Sequence, residues 1–328
     1  MNRQIDNRPN GRLQDSPLEK FADPDWTATG EPRAKVALSA LETLWFNTGT
    51  LCNIECRNCY ILSSPSNDAL VYLTLAEVEA YLDEIAALGL PTTEIGFTGG
   101  EPFMNPDLIA MAEAALARGH RVLILTNAMR PMMRAKMREG LAELAGRFGD
   151  RLVLRVSLDH YTARCHDAER GAGSFEITLQ GMRWLRDTGL RMAVAGRTLW
   201  AESEAAERAG YAALFAAEGF AIDAMRPSEC VLFPEMDEAA PVPEITTACW
   251  GILGTNPDDV MCASARMVVK RRGATRPAVL ACTLLAYDPR FELGGTLAEA
   301  TSGPGGEVAL NHPHCAKFCV LGGANCSG

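Results

Sequence analysis

The chain has 328 residues, of which 48% are hydrophobic, 22% charged and 7% aromatic. This balance excludes a disordered or fibrous protein, and the length suits one large domain or about two ordinary ones. No apolar run approaches the ~20 residues that a membrane helix needs, and residues 1–35 lack the apolar centre of a secretion signal. We therefore expect a cytoplasmic protein with no membrane partner, and the net charge of −10 disfavours nucleic acid as a partner.

The eleven cysteines are the most informative feature of the composition. Disulfides are rare in a reducing cytoplasm, and a chain of this length does not need them to stabilise its core. The count therefore indicates metal or redox chemistry, with scattered buried thiols as the alternative.

The order of apolar segments predicts an α/β fold. After an N-terminal arm without a sustained period, short β-type runs alternate with longer helical patterns. Strands joined by crossover helices run parallel, and six such units suit a partial (β/α)6 barrel. Beyond Pro227 the alternation stops, and the chain becomes rich in Pro, Gly and Cys. The predicted strands are 43–47, 94–98, 122–126, 152–157, 192–195 and 220–225, and the predicted regions are the arm 1–35, the barrel 36–226 and a C-terminal cysteine-rich module 227–328.

The first cysteine motif directly follows the first predicted strand. Cys52, Cys56 and Cys59 have the spacing C-x3-C-x2-C, and Tyr60 comes next. Three thiolates on one loop can hold three irons of a cubane cluster and leave the fourth iron open, whereas ferredoxin spacing supplies four cysteines. A structural zinc is the alternative, although it would need a fourth Cys or His nearby, and the next histidine is His120.

This motif resembles the hallmark of the radical S-adenosylmethionine (radical SAM) enzymes, which carry it after the first strand of a partial barrel. Residues 99–102 resemble the family's GGEP motif, residues 157–159 its S-x-D segment, and residues 166–171 its HDxxRG stretch. Residues 194–197 fit the family's adenine-binding glycine pattern only loosely. The resemblance implies a 4Fe-4S cluster on the three cysteines. It assigns SAM binding to Tyr60, Gly99, Gly100, Glu101, Pro102, Thr126, Asn127, Ser157 and Asp159.

A second group of cysteines lies in the C-terminal region. Cys262 and Cys282 flank two strand-like runs, 267–270 and 278–280, separated by a turn-rich segment. A hairpin would bring both cysteines to the same end. Three further cysteines follow, namely the C-x3-C pair Cys315 and Cys319 and then Cys326.

This arrangement resembles the twitch and SPASM modules of radical SAM enzymes. It implies one auxiliary 4Fe-4S cluster held by the hairpin pair and the C-x3-C pair, with Cys326 competing for a place. Structural zinc on the same cysteines is the alternative. The remaining cysteines, Cys165, Cys230 and Cys249, are interpreted as buried or free thiols.

The resemblance implies an enzyme that uses a ferredoxin or flavodoxin as electron donor. SAM would be cleaved to methionine and a 5′-deoxyadenosyl radical, which abstracts hydrogen from a peptide or small-molecule substrate in an oxidation, crosslinking or rearrangement. A molybdopterin-type nucleotide cyclisation is the alternative among enzymes. A non-enzymatic iron–sulfur sensor or regulator is the alternative outside them, but a sensor has no need of the GGEP and S-x-D elements. The sequence identifies no catalytic side chain.

Overall fold

The computed structural model describes residues 19–234, 241–302 and 306–322. The strands are β1 (Lys35–Val36), β2 (Thr43–Asn47), β3 (Glu94–Thr98), β4 (Arg121–Thr126), β5 (Leu152–Ser157), β6 (Arg191–Arg197), β7 (Cys230–Phe233), β8 (Ala265–Val269), β9 (Ala278–Leu280), β10 (Glu292–Gly294) and β11 (Val308–Ala309). The α-helices are α1 (Leu75–Leu88), α2 (Leu108–Ala117), α3 (Ala135–Phe148), α4 (Ala163–Arg170), α5 (Ser174–Asp187), α6 (Glu204–Glu218), α7 (Cys249–Leu253) and α8 (Leu297–Thr301). A π-helical turn covers Cys315–Val320.

Six neighbouring strands, β2 to β7, run parallel in chain order, and helices connect them. The first connection shows how local chemistry sets these units. Thr74 and Glu77 form a capping box at the start of α1, and Gly89 ends the helix in the left-handed conformation at φ 61°. The predicted partial barrel is confirmed.

The sixth strand lies later than predicted. Residues 220–225 are not a strand, and β7 instead pairs with β6, placing Cys230 opposite Val194. Phe220 and Ile222 are buried in the core between the helices and the sheet, which explains the apolar run. The chain then turns before it enters the sheet. In this turn the Asp223 amide donates to the Glu229 carboxylate at 2.9 Å. The last strand of the barrel therefore lies beyond residue 226.

The predicted hairpin of the C-terminal region is confirmed. β8 and β9 pair antiparallel, with Met267 opposite Leu280. β8 also runs parallel beside β2, so the hairpin continues the barrel sheet, and β10 completes its edge.

The described part of the N-terminal arm packs on the C-terminal region through β1, which pairs with β11, and through the ion pair of Arg33 with Glu244 at 2.5 Å.

Side chains alternate between the two faces of the sheet. One face packs against the helices through residues such as Phe46 and Phe97. The other face carries Trp45, whose ring lies so close to Gly96 on β3 that a Cβ there would be 2.3 Å from it. Position 96 therefore has no room for a side chain. In the described ranges, no helix has the length and apolar character needed to cross a membrane.

Candidate active site

A cavity lies at the carboxyl ends of the parallel strands and has about 1250 Å³ of empty space, counted out to the solvent at its mouth. The three cysteines of the first motif line it, and so do eight of the nine residues that the resemblance assigns to SAM. The exception is Glu101, which is buried behind the lining. The lining residues among the predicted set are Cys52, Cys56, Cys59, Tyr60, Gly99, Gly100, Pro102, Thr126, Asn127, Ser157 and Asp159.

The other two cysteines of the first motif act on the thiol of Cys52. Burial raises the pKa of Cys52 to about 12, and Glu101, Cys56 and Cys59 raise it further. Within residues 19–234, 241–302 and 306–322, no three Cys, His, Asp or Glu side chains are arranged to hold a metal ion. Thiolates are the usual ligands of iron–sulfur clusters, so the chemistry of this donor set fits such a cluster.

Hydrogen bonds to two other elements anchor the cysteine loop. The Arg57 amide donates to the Glu169 carbonyl at 2.9 Å, and the Asn58 side chain donates to the Glu169 carboxylate at 2.8 Å. From the end of β6, Arg197 donates to the Asn58 carbonyl at 2.8 Å. No sequence motif indicates these three contacts, although Glu169 lies inside the HDxxRG stretch.

Glu101 joins the ends of two strands. One carboxylate oxygen accepts from the Phe103 amide at 3.2 Å and from the Thr126 hydroxyl at 2.9 Å, and the other accepts from the Asn127 amide at 2.8 Å. Burial raises the pKa of Glu101 to about 7. The side chain therefore holds the end of β4 against the turn that follows β3.

The two glycines of the GGEP motif make room for the cysteine loop. A Cβ on Gly99 would lie 2.5 Å from the Gly49 carbonyl oxygen, and one on Gly100 would lie 2.3 Å from the Leu51 carbonyl oxygen. Gly99 also has φ +145°, a conformation that other residues rarely adopt. Larger residues here would push the loop away from β3.

The HDxxRG stretch forms helix α4 and the turn after it. Arg170 binds the carboxylate of Asp159, and Asp167 accepts from the amides of Gly173 and Phe175 at 2.7 and 2.8 Å at the start of α5. Burial lowers the pKa of His166 to about 4, and Arg170 lowers it further. The structure thus shows this stretch as a support for the S-x-D segment.

The auxiliary cysteines converge near the hairpin end. Burial raises the pKa of Cys262 to about 12, and Cys282 raises it further. The pKa of Cys315 is also raised by burial and then by the same two thiols. Cys319 lies in the same π-helical turn as Cys315, while Cys326 lies outside the described residues.

The auxiliary cysteines adjoin the cavity. Leu284, two residues after Cys282, and Phe318, the residue before Cys319, both line it. Phe318 stacks on Phe233 of β7 with ring centroids 5.3 Å apart. No sequence motif indicates this apolar wall. The same holds for five other residues that line the cavity, namely Trp45, Leu125, Arg155, Arg197 and Thr283.

The unassigned cysteines are free thiols. Cys165 and Cys230 are buried, and burial raises the pKa of Cys230 to about 12. Cys249 is half-buried, and its sulfur accepts a hydrogen bond from the Thr246 amide at 3.4 Å.

A partial barrel whose cavity is lined by the three cysteines of a C-x3-C-x2-C motif is the arrangement expected of the radical SAM class, and sequence comparison agrees. Residues 46–199 match the model of the Radical SAM superfamily, so this part of the chain is a radical SAM domain. It is 29% identical over 162 residues to the antilisterial bacteriocin subtilosin biosynthesis protein AlbA of Bacillus subtilis, a match covering 48% of this chain and 34% of AlbA. It is 34% identical over 138 residues to an AdoMet-dependent heme synthase of Methanosarcina barkeri, covering 41% and 36%. The match to the mycofactocin maturase MftC of Mycobacterium ulcerans is 32% over 138 residues, covering 42% and 34%.

The matches span about a third of the length of these curated relatives. Two solved structures share the fold over most of the chain. Streptococcus suis SuiB bound to precursor peptide SuiA has a TM-score of 0.58 at 11% identity, covering 82% of this chain and 66% of SuiB. Native anSMEcpe with bound AdoMet has a TM-score of 0.56 at 12% identity, covering 80% and 81%.

Proposed function

We propose that the chain is an enzyme that reductively cleaves SAM and modifies a peptide side chain. The observation that carries the proposal is the single cavity shared by the cysteines of the first motif and the residues assigned to SAM. Cys52, Cys56 and Cys59 would hold a 4Fe-4S cluster, which would supply the electron for cleavage of SAM to methionine and a 5′-deoxyadenosyl radical that takes hydrogen from the substrate.

The chain's own residues hold the reactants and exclude water. Gly99, Gly100 and Asn127 would receive the methionine end of SAM, and Ser157 and Asp159 would face its ribose. Phe233 and Phe318 cover the cavity with an apolar wall, which keeps water away from a reactive intermediate.

We assign an auxiliary 4Fe-4S cluster to Cys262, Cys282, Cys315 and Cys319, with Cys326 competing for the last place. The electrostatic coupling among the first three thiols supports this assignment. A cluster here would adjoin the substrate and could accept an electron during its oxidation. The external electron donor would be a ferredoxin or flavodoxin.

Several similar proteins support a peptide as the substrate. SuiB is bound to a precursor peptide, AlbA belongs to subtilosin biosynthesis and MftC is a maturase. The heme synthase match supports a small molecule as the second candidate. An assay with a short precursor peptide encoded beside the gene, compared with porphyrin substrates, separates the two.

The test is anaerobic reconstitution with iron and sulfide, followed by SAM and dithionite. We expect 5′-deoxyadenosine from the unmodified chain and none from Cys56→Ser, measured by liquid chromatography and mass spectrometry. Cys165→Ser is the matched control, because it removes a buried thiol outside both groups and should leave the product unchanged. A reconstituted chain that forms no 5′-deoxyadenosine would contradict the proposal.

A further inference from the structure

The wall of the cavity carries more positive than negative side chains. Its charged residues are three arginines and two carboxylates, namely Arg155, Arg170, Arg197, Asp159 and Glu169. Asp159 is bound at two points by Arg170, and the Glu169 carboxylate accepts from Asn58. Glu101 lies behind the wall, and burial raises its pKa to about 7, so it is partly protonated near neutral pH. Among the described residues that line the cavity, positive charge therefore exceeds negative charge by one.

The proposed cofactors do not remove this excess. An oxidised 4Fe-4S cluster on three thiolates would carry a net negative charge. SAM would carry a net positive charge, because its sulfonium and ammonium groups outnumber its one carboxylate. The two charges would offset each other at the first cysteine motif. The positive charge that remains on the wall favours a substrate with an anionic group.

Arg197 has a donor that nothing in the described ranges uses. Its Nη2 donates to the Asn58 carbonyl at 2.8 Å, and its Nε lies 3.9 Å from Asp159 Oδ1, beyond hydrogen-bond distance. Its Nη1 is buried and has no hydrogen-bond partner in the part of the chain that the structure describes. A buried donor without a partner is costly, and in native proteins such atoms are usually satisfied by a ligand or by ordered water. Arg197 can therefore offer both charge and an N–H to a carboxylate.

Trp45 provides a second donor, at greater depth in the barrel. Its side chain is buried and lines the cavity, and its indole Nε1 has no hydrogen-bond partner among the described residues. Trp45 pairs in register with Gly96, three residues before Gly99, so it lies below the residues assigned to SAM. An indole N–H donates only, as a guanidinium does. Both atoms therefore require an acceptor.

We propose that the part of the substrate that enters this cavity carries a carboxylate, as an Asp or Glu side chain of a peptide does. Arg197 binds this carboxylate through Nη1, and Trp45 donates to a further acceptor of the substrate. The inference rests on the proposed function, because it takes the cavity as the place where the substrate meets SAM.

The test titrates the reconstituted full chain, with SAM present and no reductant, by isothermal calorimetry. The two probes are N-acetyl-L-glutamic acid α-amide and N-acetyl-L-glutamine α-amide, which have the same shape but differ in charge. We expect the acid to bind about tenfold more tightly than the amide. Arg197→Gln should weaken the acid about tenfold and the amide much less, and Arg197→Lys should restore part of the loss. Trp45→Phe should weaken both probes about threefold, because it removes one neutral hydrogen bond.

The matched control is Arg138→Gln, because Arg138 is an exposed arginine of α3 that does not line the cavity. It should bind both probes as the unmodified chain does. Absence of binding, or equal affinity for the two probes, would overturn the proposal. Equal weakening of SAM and both probes by Arg197→Gln would also overturn it, since Arg197 would then only support the cysteine loop. Unchanged binding in Trp45→Phe would overturn the role of Trp45.

Failure of the proposed function gives a different result. The acid would still bind and would still lose affinity in Arg197→Gln, yet SAM and dithionite would give no 5′-deoxyadenosine. The opposite result, 5′-deoxyadenosine without selective binding of the acid, would overturn only the carboxylate site.

Discussion

Arg170 and Asp159 form a two-point ion pair beside the cysteine loop. The Arg170 Nε lies 2.7 Å from Asp159 Oδ2, and its Nη2 lies 2.9 Å from Oδ1. Burial alone would raise the pKa of Asp159, but Arg170, with smaller contributions from Arg197 and His166, outweighs burial, so the net pKa is below the ordinary value. The pair joins the end of β5 to the end of α4, so a residue of the HDxxRG stretch fixes the S-x-D carboxylate.

Arg170→Gln should destabilise the fold, because it leaves the Asp159 carboxylate buried without its main counter-ion. We expect the free energy of unfolding to fall by about 3–5 kcal/mol, measured by urea denaturation near neutral pH. Arg183→Gln is the control, since Arg183 makes a similar two-point pair with Glu218 at the surface. A surface pair of this kind contributes about 1 kcal/mol or less. Equal losses in the two variants would show that burial does not set the strength of the Asp159 pair.

Gly96→Ala should also destabilise the fold, because its Cβ would lie 2.3 Å from the Trp45 ring. Overpacking of this kind costs about 1–3 kcal/mol in unfolding free energy. Gly146→Ala in α3 is the control, since a Cβ there meets open space and should stabilise the helix by up to about 1 kcal/mol. Trp45→Leu in the Gly96→Ala background should recover part of the loss. No recovery in the double variant would show that the clash lies elsewhere.

Much of the site could be predicted because its parts are local in sequence and the topology assembles them. Parallel strands bring their carboxyl ends to one edge, so motifs that follow successive strands must meet there. Cys52, Gly99 and Ser157 line one cavity for this reason. The spacing of Cys262 and Cys282 around a turn likewise sufficed to predict the hairpin.

Other features depend on contacts between distant segments. The Phe233–Phe318 stack joins β7 to the π-helical turn, and no local pattern relates the two rings. The apolar run at 220–225 has the pattern of a strand, yet packing between helix and sheet explains it equally well. The carboxylate of Glu101 matches a ligand-binding motif, but its hydrogen bonds go to the neighbouring strand end.

The buried carboxyl group of Glu207 should make stability depend on pH. Glu207 is 1% exposed, and within the described ranges neither carboxylate oxygen has a hydrogen-bond partner. Burial raises its pKa to about 7, and Glu202 and Glu204 raise it further. When a carboxyl group has a higher pKa in the folded than in the unfolded chain, the folded protein loses stability as the pH rises from the unfolded pKa through the folded pKa.

Glu207→Gln removes this titration. We therefore expect the melting temperature of the variant, relative to the unmodified chain, to rise between about pH 5 and pH 8. Glu101, whose pKa is also about 7, is present in both chains and cancels in the comparison. Glu218→Gln is the control: Arg183 lowers the pKa of Glu218, so its contribution changes only at more acidic pH. A constant difference for Glu207→Gln across this range would contradict the prediction.

Removal of an auxiliary thiol should separate the two proposed clusters. Cys315→Ala should lower the iron content of the reconstituted chain from about eight to about four atoms, because one cubane loses a ligand. The chain should still form 5′-deoxyadenosine, since the first cysteine motif is intact. Cys165→Ala removes a buried thiol that is 4% exposed and should keep all the iron. A Cys315→Ala chain with unchanged iron, or zinc in place of iron, would contradict the auxiliary cluster.

The same measurement assigns the fourth auxiliary ligand. Cys315 and Cys319 share one π-helical turn, a geometry that favours Cys319 as the partner of the three coupled thiols. We therefore expect Cys319→Ala to lose as much iron as Cys315→Ala, and Cys326→Ala to lose none. Iron and sulfide analysis together with electron paramagnetic resonance of the reduced chain checks both. If Cys326→Ala lost iron and Cys319→Ala did not, Cys326 would be the fourth ligand of the auxiliary cluster. A cubane with four protein ligands has no place for a fifth thiolate.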